Sequence, residues 1–173
     1  MRLERINGIH ESDHKAGAKP PTFWRVISGV TSFLDACRSY RYETRIHQYV
    51  RAIESFLPPS AFGQRLFAKK AALLCEQGER TTDALKEMYR LRNKAEHHEY
   101  FEEAKLSGGI PEDVARLRAL QAEALCIELY RRFFTKSVRF LDLYRDSETI
   151  EGFWSTDSGV QSEWGSPFGF PEL

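Results

Sequence analysis

Apolar residues recur three and four apart along most of the chain, and Pro and Gly separate the runs, which is the pattern of amphipathic helices joined by short loops. Phe23, Ile27, Val30, Leu34 and Cys37, with Trp24, Val26 and Phe33 beside them, predict a first core-facing helix with Thr22 as N-cap and Gly29 inside it. Ile46, Tyr49, Val50, Ile53, Phe56 and Leu57 repeat the period until Pro58-Pro59 forbids continuation. Gln64 to Gln77 predicts a third helix, with Leu66, Phe67, Ala71, Leu74 and Cys75 on its apolar side and Gly78 as C-cap. A fourth, from about Asp83 to about Lys105 and capped by Thr81 or Thr82, carries the stripe Ala84, Met88, Leu91, Ala95. Pro111, Glu112 and Asp113 open the longest helix. Its core contacts are predicted at Val114, Leu117, Leu120, Ala124, Leu125, Ile127, Leu129 and Tyr130, with an extension through Phe133, Val138, Phe140 and Leu141.

Strand-like alternation and internal repeats are absent, so helix packed on helix is the architecture that buries these stripes. The expected fold is all-α, an up-and-down bundle of about five helices over residues 23–145. Residues 1–22 contain His10 and His14 and end in Lys19-Pro20-Pro21, the composition of a flexible lead-in. Residues 146–173 turn to Gly, Ser and Pro with isolated aromatics, Phe153, Trp154, Trp164, Phe168 and Phe170, and read as an irregular strap.

A chain of 173 residues has room for one core and would be cramped as two. Lys plus Arg total 25 and Asp plus Glu total 25, so the overall field gives no attraction to nucleic acid or anionic membrane, and a nucleic-acid role needs a local patch. Cys37, Cys75 and Cys126 are odd in number, far apart and set among apolar neighbours, which predicts buried thiols in a reducing compartment. No run has signal-peptide character or the ~20 apolar residues of a membrane span, so the expected address is cytoplasmic, with no membrane partner.

The chemistry concentrates in Arg92-Asn93-Lys94-Ala95-Glu96-His97-His98. On a regular helix Arg92 projects at the edge of the apolar stripe, Glu96 lies one turn later as a partner, and Asn93 and His97 share the more exposed side. Such a group suits RNA cleavage by the RNA's own 2′-hydroxyl. An imidazole moves a proton near neutral pH, an arginine stabilises the growing phosphate charge, and Asn93 holds the phosphate or fixes a tautomer, with no metal or cofactor required. Arg92 and His97, five residues apart, point about 140° away from each other on a regular helix. Either the helix distorts there or two copies complete each other's site.

Tyr49-Val50-Arg51-Ala52-Ile53-Glu54, then Phe67-Ala68-Lys69-Lys70-Ala71-Ala72-Leu73-Leu74, then Leu85-Lys86-Glu87-Met88-Tyr89-Arg90-Leu91-Arg92-Asn93-Lys94-Ala95-Glu96-His97, resembles the ApeA-like branch of the HEPN superfamily over roughly residues 23–145. The resemblance implies a helical bundle that pairs two protomers through the motif helix. It also implies, as in many members, a metal-independent ribonuclease in a toxin, phage-defence or RNA-processing role. Carried over by position, Arg92 contacts phosphate, Asn93 positions it, and His97 is the acid-base or phosphate-binding group, with His98 adjacent. An antitoxin or a larger defence protein is the further partner implied.

Plainer readings stand beside these. Arg92 could pair with Glu96 as an ordinary helix ion pair beside an exposed histidine, in a bundle that only dimerises, binds a partner, or senses nucleotide or RNA without cutting. His98 and Glu102, one turn apart, compose a metal pair that His97 cannot easily join, because adjacent residues diverge by ~100°. Arg38, Arg41 and Arg45, interleaved with Tyr40 and Tyr42, read either as a small RNA-contacting patch or as a solvated corner. Arg131, Arg132, Lys136 and Arg139 read as a solvated face, and His47 as a core-edge or surface histidine.

Overall fold

The computed structural model describes residues 23–96 and 111–170, apart from the side chains of 137 and 138. Among these residues the chain is all-helical, an α-bundle as the periodicity predicts. Its helices are α1 (Phe23–Arg38), α2 (Tyr42–Glu54), α3 (Gly63–Ala71) running into a 3₁₀ turn (Ala72–Leu74), α4 (Glu79–Glu96), α5 (Glu112–Thr135), α6 (Ser137–Leu143), α7 (Ser147–Trp154) and α8 (Asp157–Trp164). The expected lead-in and its Thr22 cap, and the stretch of the fourth helix beyond Glu96, lie outside the described residues.

Helix α2 is the centre of the bundle, packed against α1, α4 and α5, and its Ile46, Tyr49, Val50 and Ile53 are fully buried. Just past its end, Phe56 is the hub of an aromatic cluster. Its ring lies 4.7 Å from Tyr130, 5.6 Å from Phe133 and 5.5 Å from Trp164, the first and last edge-on, the geometry aromatic quadrupoles favour. Tyr144 closes the cluster by donating its hydroxyl to the Phe56 carbonyl at 2.5 Å.

The buried face of α1 differs from the predicted stripe. Phe23, Val26, Gly29 and Ala36 face the core, whereas Leu34 and Cys37 are exposed. The reason is Gly29: a Cβ there would stand 2.1 Å from Ser55 Oγ and 2.5 Å from Tyr130 Oη, so the backbone of α1 itself is the contact surface. Rotating α1 to bury Leu34 would forfeit that approach. Leu66, Leu120 and Ile127 are likewise exposed, because α3 and α5 present Phe67, Ala68 and Ala71, and Ala115, Ala119, Ala122, Leu125 and Leu129, to the core.

Helix α3 ends six residues before the predicted Gln77, and the cause lies far along the chain. Cys75 leaves the 3₁₀ turn extended and pairs with Phe168 in a single parallel bridge: Phe168 N donates to Leu74 O and Glu76 N to Phe168 O, each at 2.9 Å. Gly78 opens α4 rather than closing α3, its carbonyl accepting from Thr82 N. The predicted single helix from Pro111 breaks at Lys136 and resumes as α6.

The region after Asp146 is not an irregular strap. Asp146 caps α7 by accepting from Thr149 N at 2.7 Å, and Ile150 with Trp154, then Val160 with Trp164, bury their side chains completely or nearly so. The basic cluster predicted as a solvated face holds this tail in place. Arg132 donates to Trp164 O at 2.9 Å, Lys136 to Glu163 O at 2.5 Å, and Arg139 pairs with Glu163 at 3.0 Å, so cations cap the carbonyl end of α8. Among the described residues no helix is long and apolar enough to cross a membrane.

Candidate functional site

Helix α4 brings Arg92 to the bundle's flank because Leu85, Met88 and Leu91 turn inward and leave the next position at the rim of the core. The Arg92 side chain is 18 % exposed, and its guanidinium carbon sits 5.6 Å from the Tyr89 ring centroid, a cation–π contact. Arg92 Nη1 donates to Asn93 Oδ1 at 3.0 Å and to Glu96 Oε2 at 2.5 Å, while Nη2 lies 3.7 Å from Glu54 Oε2 at the end of α2. Arg92 and Asn93 are therefore brought together. His97 and His98, with Glu102, lie outside the described residues.

Glu54 is the group that sequence reasoning missed. Burial pushes its carboxyl above the ordinary glutamate value, while the charges of Arg92, Arg51 and Arg25 oppose that shift. On its other side Arg25, from α1, donates Nη2 to the Glu54 main-chain oxygen at 3.2 Å. Burial lowers the Arg25 pKa, with Tyr144, Glu54 and Glu151 opposing. Among the described residues Arg25 Nη1 and Arg92 Nε are buried without a hydrogen-bond partner.

His47 is also drawn into the site. Its Nδ1 donates to the Arg92 carbonyl at 3.4 Å, and burial, aided by the Arg92 and Arg51 charges, pulls its pKa below the ordinary histidine value. The environment thus favours the neutral imidazole, with Nδ1 as the donor to a backbone acceptor.

Arg25, Glu54, Tyr89 and Arg92 line a cleft of about 270 Å³ whose outer wall is Leu57, Pro58, Pro59, Ala61 and Phe62. The charged residues of its lining are Arg25, Glu54 and Arg92, and the Glu96 carboxylate bonded to Arg92 stands beside them. The signal for these residues was present but diffuse: Arg25 interrupts the apolar run Phe23-Trp24 and Val26, and Glu54 stands between Ile53 and Phe56.

The other candidate patch is partly engaged in structure. Arg45 forms an ion pair with Glu123 and donates to Tyr49 Oη at 3.4 Å, and Arg41 lies 3.8 Å from Glu43, whereas Arg38 and Tyr40 are exposed. Cys75 and Cys126 are buried thiols as predicted, and burial pushes Cys75 up to about 12; Cys37 is instead exposed because its helix turns Ala36 inward. No family model, curated protein or solved structure matches this chain.

Proposed function

We propose that the chain is a metal-independent endoribonuclease of the HEPN type, in a toxin, phage-defence or RNA-processing role, acting as a homodimer paired through α4. Arg92, Asn93 and His97 of two protomers line one cleft, with His98 in support. The observation that carries this reading is the setting of Arg92: held over Tyr89, bound to Asn93, and lining a cleft, its guanidinium is oriented before substrate arrives.

In this reaction an imidazole takes the proton of the RNA 2′-hydroxyl, whose oxygen attacks the adjacent phosphorus. The 5′-oxygen leaves with a proton from a second acid, giving a 2′,3′-cyclic phosphate and a 5′-hydroxyl. Arg92 stabilises the charge that grows on the non-bridging oxygens. For this, phosphate takes the place of Glu96, while Glu54 remains beside the guanidinium. The Glu96 side chain is 46 % exposed, so it can swing into solvent and leave Nη1 to a phosphate oxygen.

A second reading, a non-catalytic dimerisation or partner-binding module, is favoured by the same ion pairs, since Glu96 and Glu54 satisfy Arg92 within one chain. Incubation with total and transfer RNA in EDTA, followed by mapping of fragment ends, separates the two. Cyclic phosphate ends that vanish in His97→Ala, with helicity and dimer mass retained, support the nuclease. A strict metal requirement, or cleavage surviving both His97→Ala and His98→Ala, sinks it, and uncut RNA bound tightly by the wild type points to a sensor or module.

A further inference from the structure

Phe62 is a large aromatic left 78 % exposed on a loop that is otherwise firmly held. The turn is closed by Ala61 N donating to Pro58 O at 2.9 Å and Phe62 N to Ser60 O at 2.8 Å. The Glu151 carboxylate of α7 accepts from Ser60 N at 2.7 Å and from Ser60 Oγ at 2.6 Å, pinning the loop to the rest of the bundle. Gly63 follows with φ +81°, a conformation that favours glycine, so the direction in which the chain leaves Phe62 is fixed as well. An exposed ring on a rigid loop makes no contribution to the core, yet the ordering of the loop is already in place for a ligand.

The same ring lines the cleft that Arg25 and Arg92 also line. Aromatic and proline surface together with two guanidiniums in one lining matches the two parts of a nucleotide, a base that stacks and a phosphate that accepts. Stacking on an aromatic tolerates any base, and the cations read only the backbone. We infer that this cleft is a subsite for one nucleotide of a single-stranded RNA, its base on Phe62 beside Pro59 and its phosphate on Arg25 and Arg92.

The inference rests on the ribonuclease reading for its choice of RNA, and it places the strand across Arg92 from the α1 side. Phe62 and Arg25 act as binding residues here and take no part in proton transfer.

The test is fluorescence anisotropy of the full chain with a labelled 2′-O-methyl oligoribonucleotide, which cannot be cut because its 2′-oxygen is blocked. Base stacking lost to alanine weakens binding roughly 5- to 150-fold. Phe62→Ala is expected to fall in that range, Phe62→Trp to restore wild-type affinity, and Arg131→Ala, a cation outside the cleft, to stay within about twofold. Arg25→Lys, which keeps the charge but loses the fork, is expected to weaken binding without the stacking loss. Wild-type affinity in Phe62→Ala, or adenosine monophosphate binding as tightly as the strand, would overturn the inference. If the wild type cuts RNA while Phe62→Ala changes neither affinity nor KM, the subsite fails and the nuclease stands. If nothing is cut yet binding depends on Phe62, the nuclease fails and the subsite stands.

Discussion

Gly29→Ala sets two effects of known size against each other. In an ordinary helix interior the change stabilises by ~0.8–1.0 kcal/mol, because alanine loses less backbone entropy on folding. At this position the new Cβ would lie 2.1 Å from Ser55 Oγ, 2.5 Å from Ser55 Cβ and 2.5 Å from Tyr130 Oη, whereas ordinary contact begins at 3.4 Å. The Ser55 hydroxyl could rotate, but its Cβ is fixed to the end of α2, so α1 must retreat by about an ångström along its packed face. Overpacking of this kind costs about 1–3 kcal/mol, and with no rotamer escape the upper part of that range applies. The net expectation is a loss of about 1–2 kcal/mol, or a fall in Tm of roughly 2–8 °C for a chain of this size. Urea unfolding with an unchanged m-value measures it, and a double-mutant cycle isolates the cause. In a Ser55→Gly background two of the three close contacts vanish while Tyr130 Oη at 2.5 Å remains, so the cost of Gly29→Ala should fall without disappearing. A stabilised Gly29→Ala, or an equal cost in both backgrounds, would show that the close approach of α1 does not set its buried face.

Trp164→Ala removes a buried ring packed 4.6 Å from Phe140 and edge-on to Phe56, and should cost about 3–5 kcal/mol with a Tm lower by roughly 6–20 °C; a loss under 1 kcal/mol would return the tail to the status of a strap. Arg131 and Arg132 hold the Glu128 carboxyl at about 2, so its stabilisation is present above the unfolded value of 4.5 and is lost as pH falls from there toward 2. Glu128→Gln should therefore melt earlier than wild type at pH 7, with the gap closing near pH 2–3, and a gap that persists in acid contradicts the assignment. With Ellman's reagent one thiol, Cys37, should react in the native protein and Cys75 and Cys126 only on denaturation; Cys37→Ser should abolish the native reaction.

The elements that the sequence made legible are those whose burial is decided locally. Ile46, Tyr49, Val50 and Ile53 keep strict helical spacing and are all fully buried, and Pro58-Pro59 follows soon after α2 ends at Glu54. What escaped was decided at long range. Gly29 carries no hydrophobic signal, yet it turns α1 so that Leu34 faces outward. The end of α3 is set by hydrogen bonds to Phe168, some ninety residues away. Helices α7 and α8 are eight residues each, too short for a period to register, although Ile150 with Trp154 and Val160 with Trp164 hold the one-turn spacing that buries them. At the site, Arg92 and Asn93 were visible as a motif on one helix. Arg25, Glu54 and Phe62 come from α1, α2 and a loop to line one cleft with Arg92, and no spacing along the chain records that meeting.

The most direct measurement is a cleavage time course on transfer RNA in EDTA, comparing wild type with Arg92→Ala, His97→Ala and, as a charge control away from the cleft, Arg131→Ala. The ribonuclease reading predicts cyclic phosphate fragments from wild type and Arg131→Ala and a rate lowered at least about 100-fold in the other two, as expected when a proton-transfer group or a charge-stabilising donor is lost. Equal rates in all four proteins would contradict it, as would intact RNA throughout.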